Sequence, residues 1–246
     1  MQSGTRTSYA LHPAAGPEAT TPGHRYTSAV ASCAATVTEI EELAPSVVQI
    51  TVAFHDGAFS FEPGQWVNFR FPDGVSRAYT IASAPHRTQS VQLCVRVGAG
   101  RGGTALTRLD AGASVMIEGP YGDFVLPEND GRPMIFMAGD TGIAPVRSMV
   151  LAMLANHDSR KICVLYEPDQ RNILYAADFD PLARDGSIRH ESGKIETLIA
   201  RNRNLLPSAT IMVAGFDPFI ERVTDALREN EISATYVISE TFGPMP

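Results

Sequence analysis

The chain has only three cysteines, Cys33, Cys94 and Cys163, among its 246 residues. They lie far apart and form no C-x-x-C pair, which excludes an iron–sulfur or zinc motif of ordinary spacing. Cys94 and Cys163 fall inside apolar runs, so buried, inert thiols are expected there. The six histidines are scattered, without H-E-x-x-H or paired spacing, and no metal site is expected. No apolar run approaches the ~20 residues a membrane span needs. Basic residues are the minority, 20 Lys and Arg against 27 Asp and Glu for a net charge of −7. That balance provides no footprint for nucleic acid or an anionic membrane surface.

Periodicity is missing from residues 1–28, which are rich in Ala, Thr, Ser, Pro and Gly. They are read as a disordered N-terminal arm. The arm has no apolar segment of the kind a secretory signal carries. A cytoplasmic location is therefore expected, with the mitochondrial matrix as the alternative for a eukaryotic source.

The rest of the chain has two periods. From Ala29 to about residue 130, short alternating runs are separated by turn signals. Val47–Val52, Gln65–Phe71 and Val91–Val97 alternate, and His55-Asp56-Gly57, Pro63-Gly64 and Pro72-Asp73-Gly74 punctuate them. Short strands at this spacing predict a small antiparallel barrel. From about Arg132 the pattern becomes strand–helix alternation. Continuous apolar runs at Pro133–Ala138, Lys161–Tyr166 and Thr210–Ala214 suit parallel strands buried on both faces. Ala144–Ala155 and Ile173–Phe179 read as helices, and Ala234–Ser239 as a last strand. A further helix opens at Phe216-Asp217-Pro218, where Asp217 is placed to cap free amides and Pro218 suits the first turn. A barrel over 29–130 followed by a doubly wound α/β domain over 131–246 is the expected architecture.

Gly98-Ala99-Gly100-Arg101-Gly102-Gly103 matches the G-x-G-x-x-G dinucleotide fingerprint, and Glu118 stands about 20 residues on, where an acid is wanted. Only six residues, Thr104 to Leu109, separate the match from Asp110-Ala111-Gly112. Six helical residues span about 9 Å, whereas a βαβ crossover needs at least ~10–12 residues. The match is rejected as a nicotinamide site. Its glycine-rich turn remains a cradle for a phosphate.

With Arg77-Ala78-Tyr79-Thr80 upstream, the chain resembles the ferredoxin–NAD(P) reductase superfamily, whose barrel carries Arg-x-Tyr-Ser/Thr and a later Gly-x-x-Ser/Thr. Pro63-Gly64-Gln65, Gly119-Pro120-Tyr121-Gly122, Gly139-Asp140-Thr141-Gly142-Ile143-Ala144-Pro145 and Glu240-Thr241-Phe242 follow in that family's order. The resemblance implies a six-stranded antiparallel flavin barrel and a five-stranded parallel sheet; with no iron–sulfur motif among the three cysteines, no fused iron–sulfur domain is expected.

It also implies roles. Arg77 neutralises a flavin phosphate, Ala78 lines the flavin, Tyr79 lies against the ring system and Thr80 bonds near its hydride-accepting nitrogen. In the second motif Gly103 stands in the hydroxyl's place and Thr104 one position late. The amides of Gly102, Gly103 and Thr104 are left to hold the pyrophosphate. Gly139, Thr141, Gly142 and Gly215 are implied as nicotinamide-nucleotide contacts, with Asp140, in place of a frequent glycine, expected to cap the following helix. Ala214-Gly215-Phe216-Asp217-Pro218 aligns with the family's Cys-Gly-Pro signature but lacks its cysteine. Phe242 is the implied aromatic cover on the flavin.

Glu167, ending the second α/β strand, suits a ribose 2′-hydroxyl and favours NADH, while the nearby Arg171 suits a 2′-phosphate and NADPH. The expected cofactors are FAD, in preference to FMN, and NADH or NADPH. The expected activity is that of a flavin-dependent NAD(P)H oxidoreductase passing single electrons to a separate acceptor: a ferredoxin, an oxygenase component or a haem protein. A free-flavin or quinone reductase and a non-catalytic electron-transfer or regulatory subunit are the alternatives.

Overall fold

The computed structural model describes residues 6–8, 30–86, 89–98, 101–169, 172–232 and 236–244. Arg171 and part of the N-terminal arm lie outside the described residues. In chain order the first elements are β1 (Arg6–Ser8), β2 (Ala31–Ala44), β3 (Val47–Phe54), β4 (Trp66–Arg70), β5 (Ser76–Thr80), β6 (Ser90–Arg96), α1 (Arg101–Leu106) and β7 (Ser114–Tyr121). Strands β2 to β7 form one antiparallel sheet in the order β5-β4-β7-β2-β3-β6. A bridge between Ile81 and Leu93 brings its two edges together. The alternation of the sequence accounts for the filling: Val37, Ile50, Val52, Val67, Phe69, Leu93 and Ile117 are fully buried in one cluster. Glu118 lies on β7, which runs antiparallel to its neighbours β2 and β4. The G-x-G-x-x-G match is therefore not part of a βαβ unit.

The second half contains β8 (Met134–Gly139), α2 (Ile143–Ala155), β9 (Ile162–Glu167), α3 (Ala176–Arg184), β10 (Arg189–Ser192), α4 (Ile195–Asn202), β11 (Thr210–Gly215), α5 (Asp217–Glu229) and β12 (Val237–Thr241). The strand order is β1-β12-β11-β8-β9-β10, with β8 to β12 parallel. Every residue of β8 and β11 is buried, as their continuous apolar runs require. The chain winds from β8 outward through β9 to β10, then crosses to β11 and β12. The winding reverses between β8 and β11, where open sheets of this kind place their ligands.

Four expectations change here. Arg6–Ser8 adds a sixth, antiparallel strand on the exposed edge of β12, so the arm is not structureless throughout. Edge pairing uses backbone groups, which leave no periodic trace in the sequence. The helix expected at Ile173–Phe179 begins only at Ala176, because Tyr175 adopts φ 58° and breaks the helical path. Asp217 is the first residue of α5 rather than its cap, and its carboxylate accepts a hydrogen bond from the Thr241 hydroxyl. Strand β10 and helix α4 have no counterpart in the sequence reading, since Arg-His-Glu-Ser lacks both apolar character and alternation. With β10, the parallel sheet reaches the five strands the resemblance implies.

The halves share a core. Ala44, Val47, Ala82, Cys94 and Phe124 of the barrel half pack in one cluster with Met149, Val150 and Met153 of α2. Arg147 on α2 donates to the Ala82 carbonyl at 2.9 Å and to Gln92 Oε1 at 3.0 Å, and Ser148 Oγ donates to the Ser83 carbonyl at 2.7 Å. Cys94 and Cys163 are buried on β6 and β9, and burial pushes their thiols up to about 12 and about 11. They are poor nucleophiles.

Candidate functional site

Strand β5 lays out the first group. Tyr79 pairs with Val67 and Arg77 with Phe69, while Ala78 and Thr80 alternate to the other face opposite Asn68 and Trp66. Tyr79 is half-buried, its ring 5.8 Å from Phe69 and 6.4 Å edge-on from Phe71. Burial holds its phenol well above the ordinary tyrosine range, and the Arg77 charge offsets only part of that. Thr80 is half-buried and Ala78 exposed. Across from Thr80, Trp66 lies 4.8 Å from the Tyr121 ring. Gly122 makes room for the indole, since a Cβ there would stand 2.9 Å from Trp66 Cδ1.

Arg77 reaches out of the barrel, exposed, with Nη1 donating to the Ser76 carbonyl at 2.8 Å. Its guanidinium lies against Gly102, where a Cβ would come within 2.5 Å of Nε. Two motifs remote in sequence thus meet, and the missing side chain at Gly102 is what admits the arginine. The amides of α1's first turn have no intrahelical acceptor. Together with the guanidinium they make a fitting place for a phosphate.

The departure at Gly103 has a geometric cause. A Cβ at this position would run into the Gly98 carbonyl. The end of β6 and the start of α1 are pressed so closely that no hydroxyl-bearing residue fits this backbone. Thr104 is exposed, and its carbonyl accepts from Thr107 Oγ1 at 2.9 Å.

At the reversal point of the second sheet, Gly139, Thr141, Gly142 and Gly215 come together and are buried. A side chain at Gly142 would overlap the Ala214 carbonyl, and one at Gly139 or Gly215 would overlap the Phe219 ring. These glycines let the β8–α2 and β11–α5 turns pack directly on each other. Asp140 corrects the capping expectation: the turn has no side-chain cap. Its carboxylate instead makes a bidentate ion pair with Arg96 at the end of β6. An arginine fork from the barrel outcompetes the local amides, because two bonds between full charges exceed one from a carboxylate to an uncharged amide.

Glu167 is also committed. One oxygen accepts from the Ile195 amide at 2.6 Å, at the start of α4, and the carboxylate pairs with Arg222 of α5. A ribose hydroxyl would have to share it with those partners. Phe242 stands on Gly215, its amide donating to the Gly215 carbonyl at 2.9 Å, with its half-buried ring edge-on to Phe216 at 5.8 Å.

Three groups at the junction have no role assigned from the sequence: Arg96, Arg147 and Glu240. Arg147 left a trace, as the one charged residue in the mostly apolar thirteen-residue α2. Glu240 on β12 is buried at 2% exposure. Among the described residues its Oε2 has no hydrogen-bond partner. Burial, reinforced by the Asp123 carboxylate, pushes its carboxyl up to about 8. A folded-state value raised above the unfolded one contributes stability at acid pH that is lost as pH climbs. The loss runs from about 4.5 to about 8. Glu240→Gln is expected to flatten that decline and to raise Tm at pH 9 by about 5 °C over the parent; parallel melts from pH 5 to pH 9 check it.

Residues 34–126 match the oxidoreductase FAD-binding domain family. The chain is 37% identical over 159 residues to ferredoxin–NADP reductase B of Sorangium cellulosum, an alignment covering 62% of this chain and 65% of that protein. It is 34% identical to the phenol hydroxylase P5 protein of Acinetobacter pittii over 61% of this chain and 44% of the relative. The chain thus spans less than two thirds of the length of either. Among solved structures, the Amycolatopsis cytochrome P450 reductase GcoB superposes with a TM-score of 0.78 at 24% identity, covering 89% of this chain and 72% of that one.

Proposed function

We propose, on the match of residues 34–126 to the oxidoreductase FAD-binding domain family and on the two-domain fold, that this chain is a member of the ferredoxin–NAD(P) reductase superfamily and an FAD-dependent NAD(P)H oxidoreductase serving a separate electron acceptor. The observation that carries this reading is the contact of the Arg77 guanidinium with Gly102. It joins the barrel's arginine to the glycine-rich turn at a place suited to phosphate. FAD, when bound, supplies the redox chemistry, taking two electrons as hydride from a nicotinamide and releasing them singly.

The protein's own residues bind and orient. Arg77 offers a planar fork to a phosphate and the amides of Gly102, Gly103 and Thr104 its complement. Tyr79, wedged by Phe69 and Phe71, offers a ring of fixed orientation. Thr80 supplies a hydroxyl on the neighbouring face of β5. Gly139, Thr141, Gly142 and Gly215 shape the turn for the nicotinamide nucleotide, and Phe242 is the aromatic cover beside it. The donor is NADH or NADPH. The acidic Glu167 favours the former, and its pairing with Arg222 weakens that preference. The names of the two relatives guide the choice of acceptor, which we place among ferredoxins and oxygenase components.

Anaerobic mixing of FAD-loaded protein with each nucleotide tests the reading. The oxidised-flavin absorbance is expected to bleach, and the two rates give the donor preference. Flavin uptake without bleaching by either nucleotide would overturn it. Phe242→Ala is expected to change the bleaching rate or the NADH-to-NADPH ratio by about tenfold, the scale on which small misplacements cost rate.

A further inference from the structure

Strand β6 ends where both candidate cofactor sites begin. Its last residue, Arg96, grips Asp140 in the β8–α2 turn. Two residues later, the Gly98 carbonyl is the group against which Gly103 packs. Asp140 sits at φ 52°, in the left-handed region that favours glycine, and its side chain is only 11% exposed. Arg96 is 17% exposed, and it also reaches Asp169 at 3.2 Å, an acid 45% exposed and correspondingly screened. A nearly buried carboxylate in a turn meant for a pyrophosphate would repel it. The fork from the other domain cancels that charge where it stands.

We propose that Arg96 is a positioning residue for the nicotinamide nucleotide. By neutralising Asp140 across the domain boundary, it makes the Gly139–Gly142 turn able to accept a pyrophosphate. The proposal rests on reading that turn as the nucleotide site. Removing one partner of a buried charge pair leaves the other uncompensated. Deleting the arginine therefore harms binding, whereas deleting the carboxylate does not.

Calorimetric titration of NAD+ and of NADP+ into the FAD-loaded protein tests this, with melting curves taken alongside. For the preferred nucleotide, Arg96→Ala is expected to raise Kd about tenfold or more. In turnover, KM should rise far more than kcat falls. Arg96→Lys, which keeps a charge without the fork, should retain most of the affinity. Asp140→Gly should bind at least as tightly as the parent, and the double variant Arg96→Ala/Asp140→Gly should return to within about threefold of it, since the uncompensated charge is gone. A double variant no better than Arg96→Ala would overturn the proposal. So would an Arg96→Ala protein that melts lower but binds as tightly as the parent, because that outcome marks a purely structural pair. A parent protein that took up FAD but bound neither nucleotide would remove the site reading itself, and this inference with it.

Discussion

Arg77→Ala is expected to purify largely without flavin and to bind added FAD roughly 100-fold more weakly than the parent, with its flavin-free form melting close to the flavin-free parent. Hydrogen bonds to charged groups contribute about 1.5–3 kcal/mol each. Loss of a two-bond fork to a phosphate, partly replaced by water, thus costs about 3 kcal/mol, the equivalent of a 100-fold change in Kd. Stability should hardly respond, because the side chain is exposed and donates to the carbonyl of its own neighbour Ser76. Arg77→Lys should recover little, since an ammonium cannot reproduce the planar fork. Flavin content by absorbance, an FAD titration and a melt of the same samples decide the matter. A colourless variant that has also unfolded would instead make Arg77 a scaffold residue, and full flavin content would remove it from the site.

How far the sequence led depended on how local the cause was. Strands β3, β4, β6, β8, β9 and β11 and helix α2 were legible because each carries its own apolar period. Their order then decided the two-domain arrangement. The meeting of Arg77 with Gly102 was anticipated as a shared role, but only through family resemblance. Nothing local says that an arginine on β5 lies over the start of α1. Strand β10 was illegible because Arg189–Ser192 has no apolar face to reveal. The role given to Asp140 failed for a related reason. Next to a helix start an aspartate reads as a cap, and the sequence around it cannot show that Arg96 arrives from another domain. The partners of Glu167, the start of α4 and Arg222 on α5, are equally invisible from the sequence next to it. Long-range charge pairs, more than packing, separated expectation from structure.

Adjacent glycines in the first turn of α1 should respond differently to substitution. At Gly103 the family's usual residue carries a hydroxyl, so Gly103→Ser would seem to restore a lost flavin contact. The structure predicts the reverse. The new Cβ meets the Gly98 carbonyl, a backbone group two residues beyond β6 that cannot swing aside as a side chain would. Relief requires α1 to move off the strand, and Ala105 and Leu106, buried in the barrel cluster, move with it. Overpacking of this kind costs about 1–3 kcal/mol, which in a chain of this size lowers Tm by about 2–12 °C. Flavin affinity should fall along with it. At Gly102 the obstacle is instead the end of a flexible side chain, the Arg77 guanidinium. Gly102→Ala should therefore leave Tm within about 2 °C of the parent, as expected of a change that disturbs only an exposed side chain. By pushing the fork away from the turn it should still reduce FAD affinity. One glycine then reports on the scaffold and the other on the site. Tighter flavin binding in Gly103→Ser, or a large loss of Tm in Gly102→Ala, would mean that α1 does not sit against β6 and Arg77 as described.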